Sequence, residues 1–231
     1  MFGIDPLYIA MILPVLLFSM WASVKVKSSF SKYSKIPASS GMTGKDTAEY
    51  ILRANGLAHV KVVKSSGFLS DHYDPKAKEV RLSPDVYNSN SIASIGVAAH
   101  ETGHALQHAE KYSPLAIRSA VVPMASIGSW GSYIIIFLGM IMNSAGLMQL
   151  GIILFGAVVF FQIITLPVEF NASSRAKELV RRYSIVGPNE IGGVEKVLSA
   201  AAMTYVAAAA SAIVTLLYYL IRLGLLSGRD D

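Results

Sequence analysis

Four runs of apolar residues, at positions 7–24, 121–142, 147–168 and 200–221, constrain this chain more than any other feature. The hydrocarbon core of a bilayer takes ~20 mostly apolar helical residues, and a helix satisfies its own backbone polar groups there. Each run meets that length. With 53% hydrophobic and 15% charged residues among 231, the chain carries more apolar surface than one soluble core buries. The fold expected is a mainly α membrane protein with about four transmembrane helices. In the first run the basic residues follow the apolar stretch, whereas a cleaved signal peptide carries them in front, so the run is read as a retained anchor.

Lysine and arginine placement sets the expected topology. Lys25, Lys27, Lys32 and Lys35 follow the first span, residues 143–146 between the second and third spans are uncharged, and Arg175, Lys177, Arg181 and Arg182 follow the third. Both basic segments are therefore expected in the cytoplasm, at the cell membrane, with both termini outside; Arg222 and Arg229 run against that assignment. The formal charge of +5 is accounted for by topology and forms no basic-aromatic stripe, so nucleic acid is not an expected partner. The chain has no cysteine, which excludes disulfides, thiolate metal sites and a cysteine nucleophile.

The largest polar stretch is 26–120, the expected catalytic segment of a single domain covering 1–231. Residues 43–54 read as a helix with Thr43 as N-cap, Ala48, Ile51 and Leu52 on one side, and Gly56 as its stop. Residues 60–63 and 79–82 read as short strands of a small β-hairpin around a turn-rich stretch, SDHYDP at 70–75. Ser91 can cap a helix that continues through His108 to about Lys111.

That last helix carries VAAHETGHALQH at 97–108. His100 and His104 are separated by about 40° around a helix axis and ~6 Å along it, so two imidazoles can meet on one ion. Glu101 is rotated to the side of the pair, where it can deprotonate a zinc-activated water without being a ligand, the general-base role of H-E-x-x-H metallohydrolases. The neighbours Ala98, Ala99, Thr102, Gly103, Ala105 and Leu106 are uncharged, as suits a buried helix.

A catalytic zinc needs three protein ligands and an open position. His108 lies about 12 Å along the axis from His100 and cannot readily share its ion. The metzincin pattern H-E-x-x-H-x-x-G-x-x-H also fails, because Gln107 stands at the glycine position and Glu110 at the last histidine. His108 is left as a residue behind the ligands, a helix-end cation or a surface group. Glu169 is the best candidate for third ligand. It directly follows the third span, and two crossings separate it from His104, which returns the chain to the same face. If a helix continues there, Ala172, Ser173, Ala176 and Val180 share its face, and their small side chains would allow close approach.

HETGHALQH, LPVEFNASSRA at 166–176, SDHYDP and the four-span layout together resemble the YugP-type zinc-dependent membrane peptidases over nearly the whole chain. More distantly the sequence is similar to HtpX and the CAAX prenyl endopeptidases, membrane gluzincins. The resemblance implies neutral zinc proteolysis with His100, His104 and Glu169 as ligands and Glu101 as base. The distant relatives have an aspartate four positions after the ligand glutamate that orients a zinc histidine. Here Ser173 stands at that position, which leaves open the group that supports each histidine.

The expected function is that of an integral membrane zinc metalloendopeptidase, with one Zn2+ per chain and a polypeptide substrate. The alternative is a non-catalytic zinc-binding membrane scaffold or chaperone-like protein, for which Glu101 would have no use. Asp71, His72 and Asp74 are read as a turn in preference to a second metal site, with His72 or Tyr73 available to donate to an oxyanion. Residues 79–82 could add a peptide strand as a sheet edge or simply form a hairpin. Arg118 and Arg175 are expected as interfacial anchors.

Overall fold

A computed structural model of the chain describes residues 5–67 and 70–224; Arg229 lies outside them. It is mainly α-helical, with seven helices and three strands among the described residues: α1 Pro6–Tyr33, α2 Gly44–Ala54, β1 Lys61–Lys64, β2 His72–Asp74, β3 Glu79–Leu82, α3 Pro84–Tyr87, α4 Ile92–Ala109, α5 Ser113–Ile141, α6 Ala145–Arg182 and α7 Ile191–Arg222. Four of them, α1, α5, α6 and α7, are long and apolar enough to cross a membrane. They contain the four apolar runs, apart from Met142 just past the end of α5, and extend beyond them because nothing in the flanking polar residues interrupts the helix.

The described residues fall into two compact units. One draws on Met1–Trp21, Ala116–Pro167 and Thr204–Asp231. Its helices meet through small residues: a Cβ on Gly128 of α5 would lie 2.8 Å from the Leu154 carbonyl oxygen of α6, and Gly151 of α6 is equally tight against Ile136 of α5. Glycine lets backbones approach where lipid supplies no hydrophobic drive for association. Phe155, Val159 and Ala212 form a small buried cluster, while Ile127, Trp130 and Ile153 are more than two thirds exposed, as lipid-facing side chains would be. The Tyr218 hydroxyl donates to Asp5 Oδ2 at 2.9 Å, and Arg222 Nε approaches the same oxygen at 3.4 Å.

The second unit comprises Ala22–Leu115 and Val168–Met203. Its core gathers Ile51 and Leu52 of α2, Val80 and Leu82 of β3, Ile95 of α4 and Val180 of α6, all at most 1% exposed. The start of α2 is a full capping box: Thr43 Oγ1 accepts from Asp46 N at 3.1 Å and Asp46 Oδ2 accepts from Thr43 N at 3.0 Å. Gly56, at φ +75°, ends the turn that follows.

The sheet has the order β1-β3-β2, with β1 parallel and β2 antiparallel to β3. The hairpin expected from 60–63 and 79–82 is not formed, because β1 runs parallel to β3; the hairpin present is that of β2 and β3. Residues 72–74, read as part of a turn, are strand. Asp74 Oδ1 accepts from Lys76 N and Ala77 N at 2.9 and 3.0 Å, and Lys78 takes a left-handed φ of 54°, so the chain reverses over 75–78. Glu79–Leu82 is consequently the central strand and cannot receive a peptide as an edge. Helix α4 starts where Ser91 Oγ accepts from Ser94 N at 3.2 Å, and it is buried along most of its length.

Candidate metal centre

The second unit contains both elements of the expected site. On α4, His100 and His104 stand one turn apart with ring centroids 4.8 Å from each other. Helix α6 brings Glu169 against them, its side chain 3% exposed. Glu169 Oε2 lies 3.2 Å from His100 Nε2 and 3.5 Å from His104 Nε2. Among the described residues these three make up a group able to hold a metal ion, their ligand atoms all within 4.8 Å of one another.

The approach of α6 to α4 depends on Gly103, inside the motif itself. A Cβ there would lie 2.8 Å from the Ala172 carbonyl oxygen and 3.3 Å from Ala172 Cα. Ala172 and Ala176 are fully buried, so small residues on both helices let the backbones meet and carry Glu169 to the histidines.

The donor set fits zinc. Metal-nitrogen bonds of about 2.1 Å at tetrahedral angles separate ligand atoms by ~3.4 Å, and the observed 3.2 and 3.5 Å bracket that edge. The far nitrogen of each ring is also held. Ser173 Oγ is 3.2 Å from His100 Nδ1, so a serine hydroxyl stands behind this ring. His104 Nδ1 lies 3.0 Å from Gln107 Oε1. Such contacts hold a ligand ring in position and tune its basicity.

Glu101 is buried on α4. Burial pushes its carboxyl above the ordinary glutamate range; the neighbouring His100 and His104 pull it down, and Glu169 and Asp71 push it up again. A carboxylate destabilised by desolvation is a better proton acceptor than one in water.

The remaining candidates lie elsewhere. His108 is exposed and its Nδ1 pairs with the Tyr73 hydroxyl at 2.8 Å. His72 Nδ1 donates to the Ser70 carbonyl at 2.8 Å. Asp71 accepts from Ser83 N and Oγ at 2.7 and 3.0 Å, and Asp74 is occupied by its turn and by Arg81 at 3.3 Å. Arg175 makes protein contacts, with Asn171 Oδ1 at 2.8 Å and Glu110 Oε2 at 2.7 Å. Sequence reasoning missed Gln107 and Asn171. The available signal was spacing: Gln107 is three residues after His104, hence on its face of the helix.

No solved structure matches the chain. It is 51% identical to the "Putative membrane protease YugP" of Bacillus subtilis (strain 168) over 225 residues, which cover 97% of this chain and 99% of that protein. The family model described as "Putative neutral zinc metallopeptidase" matches residues 8–224. A match over nearly the full length, on a chain that gathers two histidines and a glutamate at zinc-ligand spacing, establishes that this protein belongs to that zinc metallopeptidase family.

Proposed function

We propose that the chain is an integral membrane zinc endopeptidase of the gluzincin type, a single peptidase domain that hydrolyses polypeptides. The observation that carries this reading is the convergence of His100 Nε2, His104 Nε2 and Glu169 Oε2 beside a buried, non-ligating Glu101. His100, His104 and Glu169 would hold one zinc. When bound, zinc supplies Lewis acidity to a scissile carbonyl and lowers the pKa of water.

The chain's own groups perform the rest. Glu101 takes a proton from the attacking water and returns it to the departing amine; its raised affinity for protons favours the first step. Ser173 and Gln107 keep the imidazoles aimed. On strand β2, His72 or Tyr73 would have to turn from its present partner, the Ser70 carbonyl or His108, to donate to the developing oxyanion. The basic residues after the first and third spans support a site on the cytoplasmic face of the cell membrane.

The experiment is substitution of Glu101 by Gln in the purified full-length protein. The variant should bind zinc like the parent and lose casein hydrolysis by at least about a hundredfold. Cleavage at the parental rate would refute the role of Glu101, and equal inactivity of parent and variant would favour a zinc-binding scaffold.

A further inference from the structure

Behind His104 runs a chain of polar side chains whose hydrogen-bond directions can be assigned without knowing any proton position in advance. Its links are His104 Nδ1 to Gln107 Oε1 at 3.0 Å, Gln107 Nε2 to Asn171 Oδ1 at 2.9 Å, Asn171 Oδ1 to Arg175 Nε at 2.8 Å, and Arg175 Nη2 to Glu110 Oε2 at 2.7 Å. A side branch joins Gln107 Nε2 to the Val168 carbonyl at 2.8 Å. Gln107 itself is fully buried, so a wrongly turned amide would find no water to compensate it.

The assignment starts from Arg175. A guanidinium only donates, so the Asn171 atom it meets must be the oxygen. An oxygen that accepts from Arg175 needs a second donor, which makes the facing Gln107 atom its NH2. The Val168 carbonyl, which only accepts, demands the same orientation independently. Gln107 therefore turns its oxygen to His104, and His104 must carry its proton on Nδ1. In a neutral imidazole that leaves the lone pair on Nε2, the nitrogen that faces Glu169. Ser173 does not impose this on His100, because a hydroxyl can donate or accept.

We infer that Gln107 is a positioning residue that fixes the Nδ1-H tautomer of His104, and that the Val168 carbonyl and Arg175, the latter through Asn171, together set the direction of the bonds that make it do so. The inference rests on the proposed metal site and deepens it. The relay also joins the two ligand-bearing helices, with Gln107 on α4, Glu110 at its C-cap and Asn171 and Arg175 on α6, so the element that orients the proton also holds Glu169 in register.

The test uses the full-length protein in detergent with 15N-labelled histidine, of which the chain has five. Zinc affinity is measured by chelator competition and the imidazole protons by long-range 15N–1H NMR of the zinc-loaded form. The parent should show His104 protonated at Nδ1. Gln107→Leu should lower zinc affinity by roughly 10- to 100-fold and lose or broaden the His104 Nδ1-H signal. Asn171→Leu, which leaves the Val168 carbonyl as the acceptor for the Gln107 amide, should act in the same direction by a smaller factor, and Asn171→Asp, which offers an acceptor to both Gln107 and Arg175, should recover most of the loss. Far-UV circular dichroism identifies variants that fail to fold, and the Asn171 pair keeps the question decidable if Gln107→Leu is one of them. A folded Gln107→Leu protein with zinc affinity within about twofold of the parent and an unchanged His104 signal would overturn the inference, as would Asn171→Asp falling as far as Asn171→Leu. Failure of the metal site itself shows differently: the parent would then bind no zinc that Glu169→Ala loses.

Discussion

Replacing Gly103 by Ala separates two effects of opposite sign. Within an isolated helix the change is favourable, since alanine surpasses glycine by about 1 kcal/mol in a helix interior. In this protein the added Cβ would meet the Ala172 carbonyl oxygen at 2.8 Å, whereas ordinary contact begins near 3.4 Å. The two helices must then part locally by about 0.6 Å, because the clashing group is backbone on both sides and no rotamer can relieve it. Such overpacking costs about 1–3 kcal/mol, so the net effect on stability is between neutral and about 2 kcal/mol destabilising.

The effect on metal should exceed the effect on stability. Glu169 sits three residues from Ala172 on the displaced helix, and metal sites tolerate ligand displacements of only about 0.2 Å. A shift of ~0.6 Å should weaken zinc binding by at least about tenfold. Gly128→Ala is the matched control, since its Cβ would also lie 2.8 Å from a backbone oxygen, that of Leu154 in the other unit. The assay is chelator competition for zinc on the folded parent and both variants. Gly128→Ala should destabilise comparably and leave zinc affinity alone. Zinc affinity of Gly103→Ala within about twofold of the parent, or an equal loss in Gly128→Ala, would refute the claim that this contact sets the ligand geometry.

Other substitutions test separate parts of the scheme. Glu169→Ala should abolish stoichiometric zinc retention while the protein still inserts into membranes, as measured by metal analysis of the membrane-extracted protein. Chelation of the parent should remove casein hydrolysis, and added zinc should restore it. Ser173→Ala removes the contact 3.2 Å from His100 Nδ1 and should weaken zinc binding by about tenfold, read by the same competition assay. Thr43→Ala breaks the capping box of α2 and should cost about 1 kcal/mol in unfolding, with no change in zinc affinity.

Local features of the fold were legible in the sequence because each rests on short-range chemistry. Apolar run length gave the four long helices, and Thr43, Gly56 and Ser91 marked helix ends by what their own side chains or φ values permit. The sheet was less legible. Three residues, His72–Asp74, are too few for alternation to register, and the parallel pairing of β1 with β3 is a long-range choice that no turn residue announces. The consequence was functional, since it left open an edge role for 79–82, the strand that among the described residues has neighbours on both sides.

The site divides along the same line. His100, Glu101 and His104 are related by helical geometry alone, and their spacing specifies where they point. Glu169 could be found by counting membrane crossings, and Ala172 could be read as a small residue on its face; Gly103, the residue that Ala172 meets, looks like an ordinary small residue until the two helices are placed together. Gln107 was visible only as a mismatch to a glycine in another enzyme class. Its part emerges when every donor and acceptor around it is counted, because a buried amide with two acceptors at its nitrogen has one orientation left. That orientation assigns the proton of a metal-facing histidine from an arginine on a different helix. Sequence spacing therefore locates the atoms of such a site, and only the closed hydrogen-bond count fixes where its protons reside.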